Sequence, residues 1–520
     1  MALQSIAEIV AKLAERDPER PCLTGPLPTG PAAAGPLLAG PAAAGPSPDG
    51  PLLAGPAAPG ATGTLTRRQL HLSTNRLARA YAQLGVRRDD LVTIALPNGV
   101  DFFQACIACW KLGATPQPVS ERLPRPEVEA IVALANPALT VGVPAEWIPG
   151  RAALPAGFAP HPALSDGNLP DAVASAWKAP TSGGSTGRPK IIVSGFPGAF
   201  DLDDPGPLRI EFDRVLLIPG PLYHNGPFGF SMMGLFRGNH IVVMPRFDAE
   251  ESLRLLERWR VDWVNFVPTM MHRIWRLGPE VRGRYDLSAL RIMLHLAAPC
   301  PPWLKEEWIR WLGAARVHEL YGGTEGQGLT WITGEEWLTH RGSVGKPYPG
   351  SRMKILDEQG REVPPGTVGE VYMLPDTGPG TTYRYIGATA KSRDGWESLG
   401  DLGWMDAEGY LYLTDRHTDM ILSGGANIYP AEVEAALDSH AAVRSSCVIG
   451  LPDEDLGNRV HAIVEAAGAV DVESLRAHVA SRLAGYKVPR TFELVDEPLR
   501  DDAGKVRRTA LRQARLATAT

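Results

Sequence analysis

Long apolar runs are missing from this chain of 520 residues: no stretch approaches eighteen uncharged apolar positions, which excludes a helix of membrane-spanning length. The opening Met1-Ala2-Leu3-Gln4-Ser5 lacks a basic segment followed by an apolar core, so a protein retained in the cytoplasm is expected. An excess of positive charge is missing too. Lys and Arg number 52 against 58 Asp and Glu, a net charge of −6, which leaves no general basic face for nucleic acid. Cysteine is sparse. The five, at positions 22, 106, 109, 300 and 447, form an odd and scattered set that predicts reduced thiols rather than a disulfide framework. Cys106 and Cys109 have metal-site spacing, but they sit in an apolar helical stretch without a second pair, so core packing is expected. What is abundant is apolar material: 44% of so long a chain fills more than one core.

Helix and strand patterns alternate through the first two-thirds. Ser5 with Glu8 reads as a capping box, followed by an apolar face of Ile6, Ile9, Val10 and Leu13 that ends before Pro18. A second helix is predicted over 67–84, with Leu70, Leu77, Tyr81 and Leu84 in phase and Gly85 as its stop. Apolar, β-branched runs at 91–96, 215–218, 241–244 and 264–267, separated by helical patterns, predict a parallel sheet with crossover helices. Short alternating stretches between 342 and 412 predict an antiparallel region. After Arg416 a small α+β domain begins. Between Gly25 and Gly63 glycine, proline and alanine dominate, and Pro-Leu-Leu-Ala-Gly-Pro-Ala-Ala occurs at 36–43 and again at 51–58. Frequent prolines and few large side chains exclude a core there, and the segment reads as a flexible insertion.

Chemistry first shows at Pro180-Thr181-Ser182-Gly183-Gly184-Ser185-Thr186-Gly187-Arg188-Pro189-Lys190. Glycines let backbone N–H groups approach an anion closely, the hydroxyls of Thr181, Ser182, Ser185 and Thr186 donate further bonds, and Lys190 supplies a point charge. A Walker A loop is excluded, because Arg188 and Pro189 separate the last glycine from the lysine. This loop and the one at 321–326 are expected after strands, near the carboxyl ends of sheets, where open α/β folds bind ligands.

The loop resembles the phosphate-binding signature of the adenylate-forming superfamily, which contains acyl-CoA and aryl-CoA synthetases, peptide-synthetase adenylation domains and luciferases. The resemblance continues in order along the chain: Tyr321-Gly322-Gly323-Thr324-Glu325-Gly326, then Gly395-Trp396 with Leu399-Gly400-Asp401, then Asp415-Arg416 through Glu434, and finally Gly504-Lys505. It implies a large N-terminal domain over 1–417, built of doubly wound α/β subdomains plus a small antiparallel β region, and a small mobile α+β C-terminal domain over 418–520. Thr418 stands at the implied hinge, where the family usually has Asp or Lys, and Leu399 stands where Thr or Ser is usual.

By the same resemblance, the loop residues Thr181, Ser182, Gly183, Gly184, Ser185, Thr186, Gly187 and Lys190 hold ATP together with Ala298, Pro299 and Gly322. Tyr321 stacks on adenine, Thr324 bonds the α-phosphate and Glu325 carries magnesium. Asp401 holds the ribose hydroxyls, Arg416 contacts the nucleotide, and Lys505 reaches the oxygen joining acyl group and phosphate. Each role suits its side chain: a carboxylate accepts from a vicinal diol, hard magnesium prefers oxygen, and a cation offsets charge on pentavalent phosphorus. His224, in Pro221-Leu222-Tyr223-His224-Asn225-Gly226, resembles the family's histidine beside the acid carboxylate, and no aspartate follows to hold an amino-acid ammonium. Phe228, Ala297, Gly323 and Gly328 are further candidates for the acid pocket.

These implications add up to ATP-dependent activation of a carboxylic acid followed by transfer to coenzyme A, since no carrier domain follows Lys505. A free-standing carrier protein, or an aryl amine meeting adenylated nitrite, is the alternative acceptor. A catalytically silent nucleotide-binding protein is the alternative from another class, and intact Lys505, Glu325, Asp401 and Arg416 argue against it.

Overall fold

The computed structural model describes residues 3–28, 61–183, 189–204, 206–416, 419–423, 426–453, 455–501 and 504–517. The chain divides into two compact units, the first of residues 1–264, 285–290 and 380–389 and the second of the remainder.

In the first unit, apolar runs became parallel strands because both faces of each are covered. Val215–Ile218 pairs in parallel with His240–Val243 and with the start of Trp263–Phe266. Leu91–Ile94 lies between Thr115–Pro118 and Leu139–Val141, again in parallel. Two helices lie close to expectation, Ile6–Arg16 and Arg67–Gln83. The capping box, however, belongs to the second. Thr66 and Gln69 exchange both reciprocal bonds, whereas Ser5 accepts from the Glu8 amide and turns its own hydroxyl to Asp171. The Glu8 carboxylate meets Lys12 at 2.7 Å.

The bounds of the insertion need correcting. Gly25 and Pro26 end the strand Pro21–Pro26, and Thr62 and Gly63 begin its antiparallel partner Thr62–Thr66, with Gly25 facing Gly63 in register. A Cβ at Gly63 would come within 2.6 Å of the Leu27 side chain, which would have to move. Residues 29–60 of the insertion lie outside the described residues.

Cys106 and Cys109 are buried on helix Val100–Lys111, and burial pushes both thiols far above the usual range. They pack rather than bind metal. On the same helix Trp110 meets Phe228 and Phe236 edge-on at 6.2 and 5.6 Å. Phe228 is therefore packed into this aromatic cluster.

In the second unit, Ile292–His295 and Val317–Gly322 are parallel, and Leu329–Thr333 returns antiparallel. The expected antiparallel region forms from Ser351–Leu356, Gly369–Pro375, Trp396–Ser398, Asp401–Met405 and Leu411–Arg416. The C-terminal α+β part is built on the long hairpin of Val443–Asp453 and Gly457–Ala466, with Thr491–Val495 added in parallel. Helices Pro430–Asp438 and Val472–Ala480 bury Val433, Leu437, Leu475 and Val479 against it.

Candidate active site

The phosphate-loop residues do not follow a parallel strand. Thr181–Gly183 and Pro189–Ser194 are the two arms of an antiparallel hairpin, extended by Tyr383–Ile386, and Gly184, Ser185, Thr186 and Gly187 lie outside the described residues. The β-branched run Ile191-Ile192-Val193, which a loop reading overlooks, pulls the motif's second half into this sheet. Lys190 faces Ser182 in register, donates to the Tyr385 hydroxyl at 2.9 Å and lies 4.1 Å from that ring's centre. Thr181 accepts from the Gln117 amide at 3.1 Å.

His224 caps helix Asn225–Phe236. Its carbonyl accepts the Phe228 amide, and its ring lies 4.4 Å from that of Tyr223. Asn98 fixes the preceding turn by donating to the Gly220 and Met244 carbonyls and accepting from the Leu222 amide. The first unit thus holds the glycine-rich hairpin on a sheet and His224 on a turn fixed by Asn98.

In the second unit, Tyr321 and Gly322 are the last residues of a strand, not a loop. Thr324 and Glu325 occupy the turn that follows, closed by the Gly326 amide on the Gly323 carbonyl. Glu325 is buried. The Tyr321 hydroxyl donates to Asp401 Oδ2 at 2.7 Å, joining two motifs eighty residues apart, and Asp401 faces Arg416 across its strand pair. Leu399 closes in on Gly323: a Cβ there would meet its Cδ1 at 2.6 Å and Glu325 Oε2 at 2.9 Å. A side chain at Gly323 would require Leu399 or Glu325 to shift, and Gly328 packs on Met373 and Met353.

Ala298 and Pro299 follow Ala297, whose φ of 76° is unusual for a residue with a side chain. Strain of this kind persists where the surroundings over-determine it. Here a buried charge pair, overlooked in the sequence, brackets the loop: Lys305 bonds Glu319 at 2.5 Å, and His295, just before the loop, lies 3.7 Å from the same carboxylate. Glu319 shares the strand and, by alternation, the face of Tyr321.

Lys505 is exposed in a turn that holds itself. The Lys505 amide donates to the Asp501 carboxylate, and the Asp501 amide donates back to the Lys505 carbonyl. Gly504 has φ of 75° and sits so near helix Pro268–Trp275 that a Cβ would come within 2.7 Å of Thr269 Oγ1. Thr418 lies outside the described residues, and of Arg416 only the backbone is described. Glu434, which ends the 415–434 segment, is buried against Arg508 and Arg500, and these guanidinium groups outweigh burial and hold its carboxyl below the usual range. No motif announces this cluster, because its partners are far apart in sequence.

The described residues contain no cluster of three metal-ligating side chains and no helix long and apolar enough to cross a membrane. Glu325 nevertheless suits magnesium in kind, a carboxylate beside a glycine where backbone and ligand can approach closely.

The fold and the ordered site motifs define an adenylate-forming enzyme, an AMP-forming acid–thiol ligase. Residues 42–385 match the AMP-binding enzyme family and residues 432–505 its C-terminal domain, and the chain belongs to that family. A fatty acid–[acyl-carrier-protein] ligase, ScoC, of Streptomyces coeruleorubidus is 31% identical over 86% of this chain and 91% of its own length. A feruloyl-CoA synthase of an Amycolatopsis species is 32% identical over 86% of this chain and 94% of its own. Among solved structures, the O-succinylbenzoate coenzyme A synthetase of Bacillus subtilis in complex with ATP and magnesium ion matches with a TM-score of 0.77, covering 98% of this chain and all of its own at 24% identity. At that identity the likeness establishes the fold.

Proposed function

We propose that the enzyme joins a carboxylic acid to coenzyme A in two half-reactions. In the first, a carboxylate oxygen attacks the α-phosphate of ATP, the bond between α- and β-phosphates breaks, and pyrophosphate leaves. In the second, the CoA thiolate attacks the acyl carbon and AMP leaves. The hydrogen bond of Tyr321 to Asp401 carries this reading, because it brings two ordered motifs eighty residues apart into direct contact. Asp401 keeps acceptor capacity for a ribose diol while its other lone pairs engage the tyrosine. The Tyr321 ring supplies the stacking face, and Thr324 donates to the α-phosphate.

Magnesium, when bound through Glu325, supplies charge neutralisation at the phosphates. The hairpin hydroxyls and Lys190 orient the anion, His224 positions the acid carboxylate, and Arg416 contacts the nucleotide. Lys505 stabilises charge on the bridging oxygen in the first half-reaction. A hinge at Thr418, between a domain over 1–417 and one over 418–520, removes Lys505 for the second. Five free thiols fit a cytoplasmic setting.

The ScoC relative favours one second reading, in which the thiol belongs to a separate carrier protein. Pyrophosphate and AMP release, measured with MgATP and a panel of aliphatic, aryl and steroidal acids with and without CoA, separates the two. AMP formation that rises with CoA supports the CoA ligase. Pyrophosphate release with AMP release that ignores CoA overturns it in favour of the carrier.

A further inference from the structure

Three lysines are drawn into the protein, and two are matched. Lys111 donates to the His71 carbonyl and to Asn75 Oδ1, with His71 Nδ1 at 3.2 Å. Lys305 has the Glu319 carboxylate at 2.5 Å. Lys178 is different. It is partly buried, stands three residues before Thr181, donates to Asn225 Oδ1, and lies 4.4 Å from the centre of the Trp177 ring. Among the described residues it makes no ion pair. An ammonium has three donors, so one neutral acceptor and one ring face leave capacity over.

Its position makes this stranger. Asn225 is the first residue of helix Asn225–Phe236, whose amide dipoles present positive charge at that end. A cation there works against the helix. Burial pulls the Lys178 amine down to about 7, as expected where no counter-charge offsets desolvation. Stability alone would favour an uncharged residue at this place. A carboxylate beside it would supply what is missing, and Asn225 directly follows His224.

We infer that Lys178 is a carboxylate-binding residue of the acid site, pairing with the acid's reacting carboxylate before adenylation. This rests on the proposed function, and on His224 marking the acid end of the site. The lysine gathers the anion, which keeps its nucleophilic oxygen, while Lys505 acts on the phosphate side.

The full chain with Lys178→Met keeps the aliphatic stem over Trp177 and removes the charge. With octanoate, cinnamate and cholate as probes, KM for the accepted acid is expected to rise about tenfold or more, since a charge-assisted bond is lost. KM for ATP is expected to stay within about twofold, melting temperature to hold or rise, and Lys178→Arg to recover part of the acid affinity. An unchanged KM for the acid overturns the inference, as does a lower melting temperature with both KM values raised, the mark of a merely structural lysine. If the wild type forms no AMP with any acid, the functional reading falls instead. Calorimetric titration of the three acids still tests Lys178 in that case: weaker binding to Lys178→Met supports its role, and equal binding or none to either protein overturns it.

Discussion

Two residues separate Lys505 from Arg508, and the fold treats the two cations in opposite ways. Arg508 is drawn inward, bonds Glu434 and the Val448 carbonyl, and lies 3.3 Å from Asp419; burial disfavours its charge, and Glu434 more than reverses that. Lys505 stays exposed, and the turn beneath it is closed by backbone and by Asp501. Arg508 is neutralised inside the fold, whereas the Lys505 side chain stays at the surface. A third case is a partly buried cation that makes no ion pair among the described residues, which is what sets Lys178 apart from Lys305.

Substituting the buried partner should give the largest change. Arg508→Ala leaves the buried Glu434 carboxylate with only Arg500 as a cation, and a loss of about 3 kcal/mol is expected, seen as a lower melting temperature or lower urea midpoint. Retained stability would mean that the two cations are not distinct after all. Lys505→Ala should do the reverse: adenylation, followed by pyrophosphate release, falls on the order of a hundredfold to a thousandfold, while the melting temperature holds. Thioester formation from supplied acyl-adenylate should survive; equal loss of both half-reactions would remove Lys505 from the adenylation step.

Asp438 sharpens the contrast through pH. Burial raises its carboxyl to about 7, so folding favours the protonated form. Stability from this group is full below the unfolded value of about 4 and is lost as pH rises towards 7. Asp438→Asn keeps the side chain neutral and should flatten that part of a melting-temperature profile, leaving the variant more stable than wild type at pH 8. Glu434 has the opposite sign, and its stabilisation is lost on acidification through its depressed value. The smallest effect is expected at Gly504. Alanine there meets both a left-handed backbone and Thr269, so about 1–2 kcal/mol is lost locally. It should appear as reduced adenylation at nearly constant melting temperature, and a fully active variant would show the turn to be loose.

Much of this was legible along the chain. Helices Ile6–Arg16 and Arg67–Gln83 and the antiparallel stretch after 342 follow from periodicity, and the strand Val215–Ile218 from a continuous apolar run that is covered on both faces. The site motifs were legible for a different reason: close backbone approach and phosphate chemistry demand particular residues at fixed spacing. What escaped were contests between partners. Ser5 and Glu8 have the spacing of a capping box, yet Asp171, 166 positions away, takes the Ser5 hydroxyl. The glycine-rich segment read as a loop after a strand, yet its two arms pair with each other as a hairpin that Tyr383–Ile386 extends. The insertion looked to run from 25 to 63, yet its ends are strand residues.

The sequence alone determined which chemistry the chain carries and which segments are helix or strand, because those depend on residue type and local spacing. Tertiary structure alone decided which charges are neutralised. Nothing local marks Arg508 for neutralisation, or distinguishes Lys178 from Lys305; only the approach of Glu434 and Glu319, and the lack of an ion pair at Lys178 among the described residues, decides it.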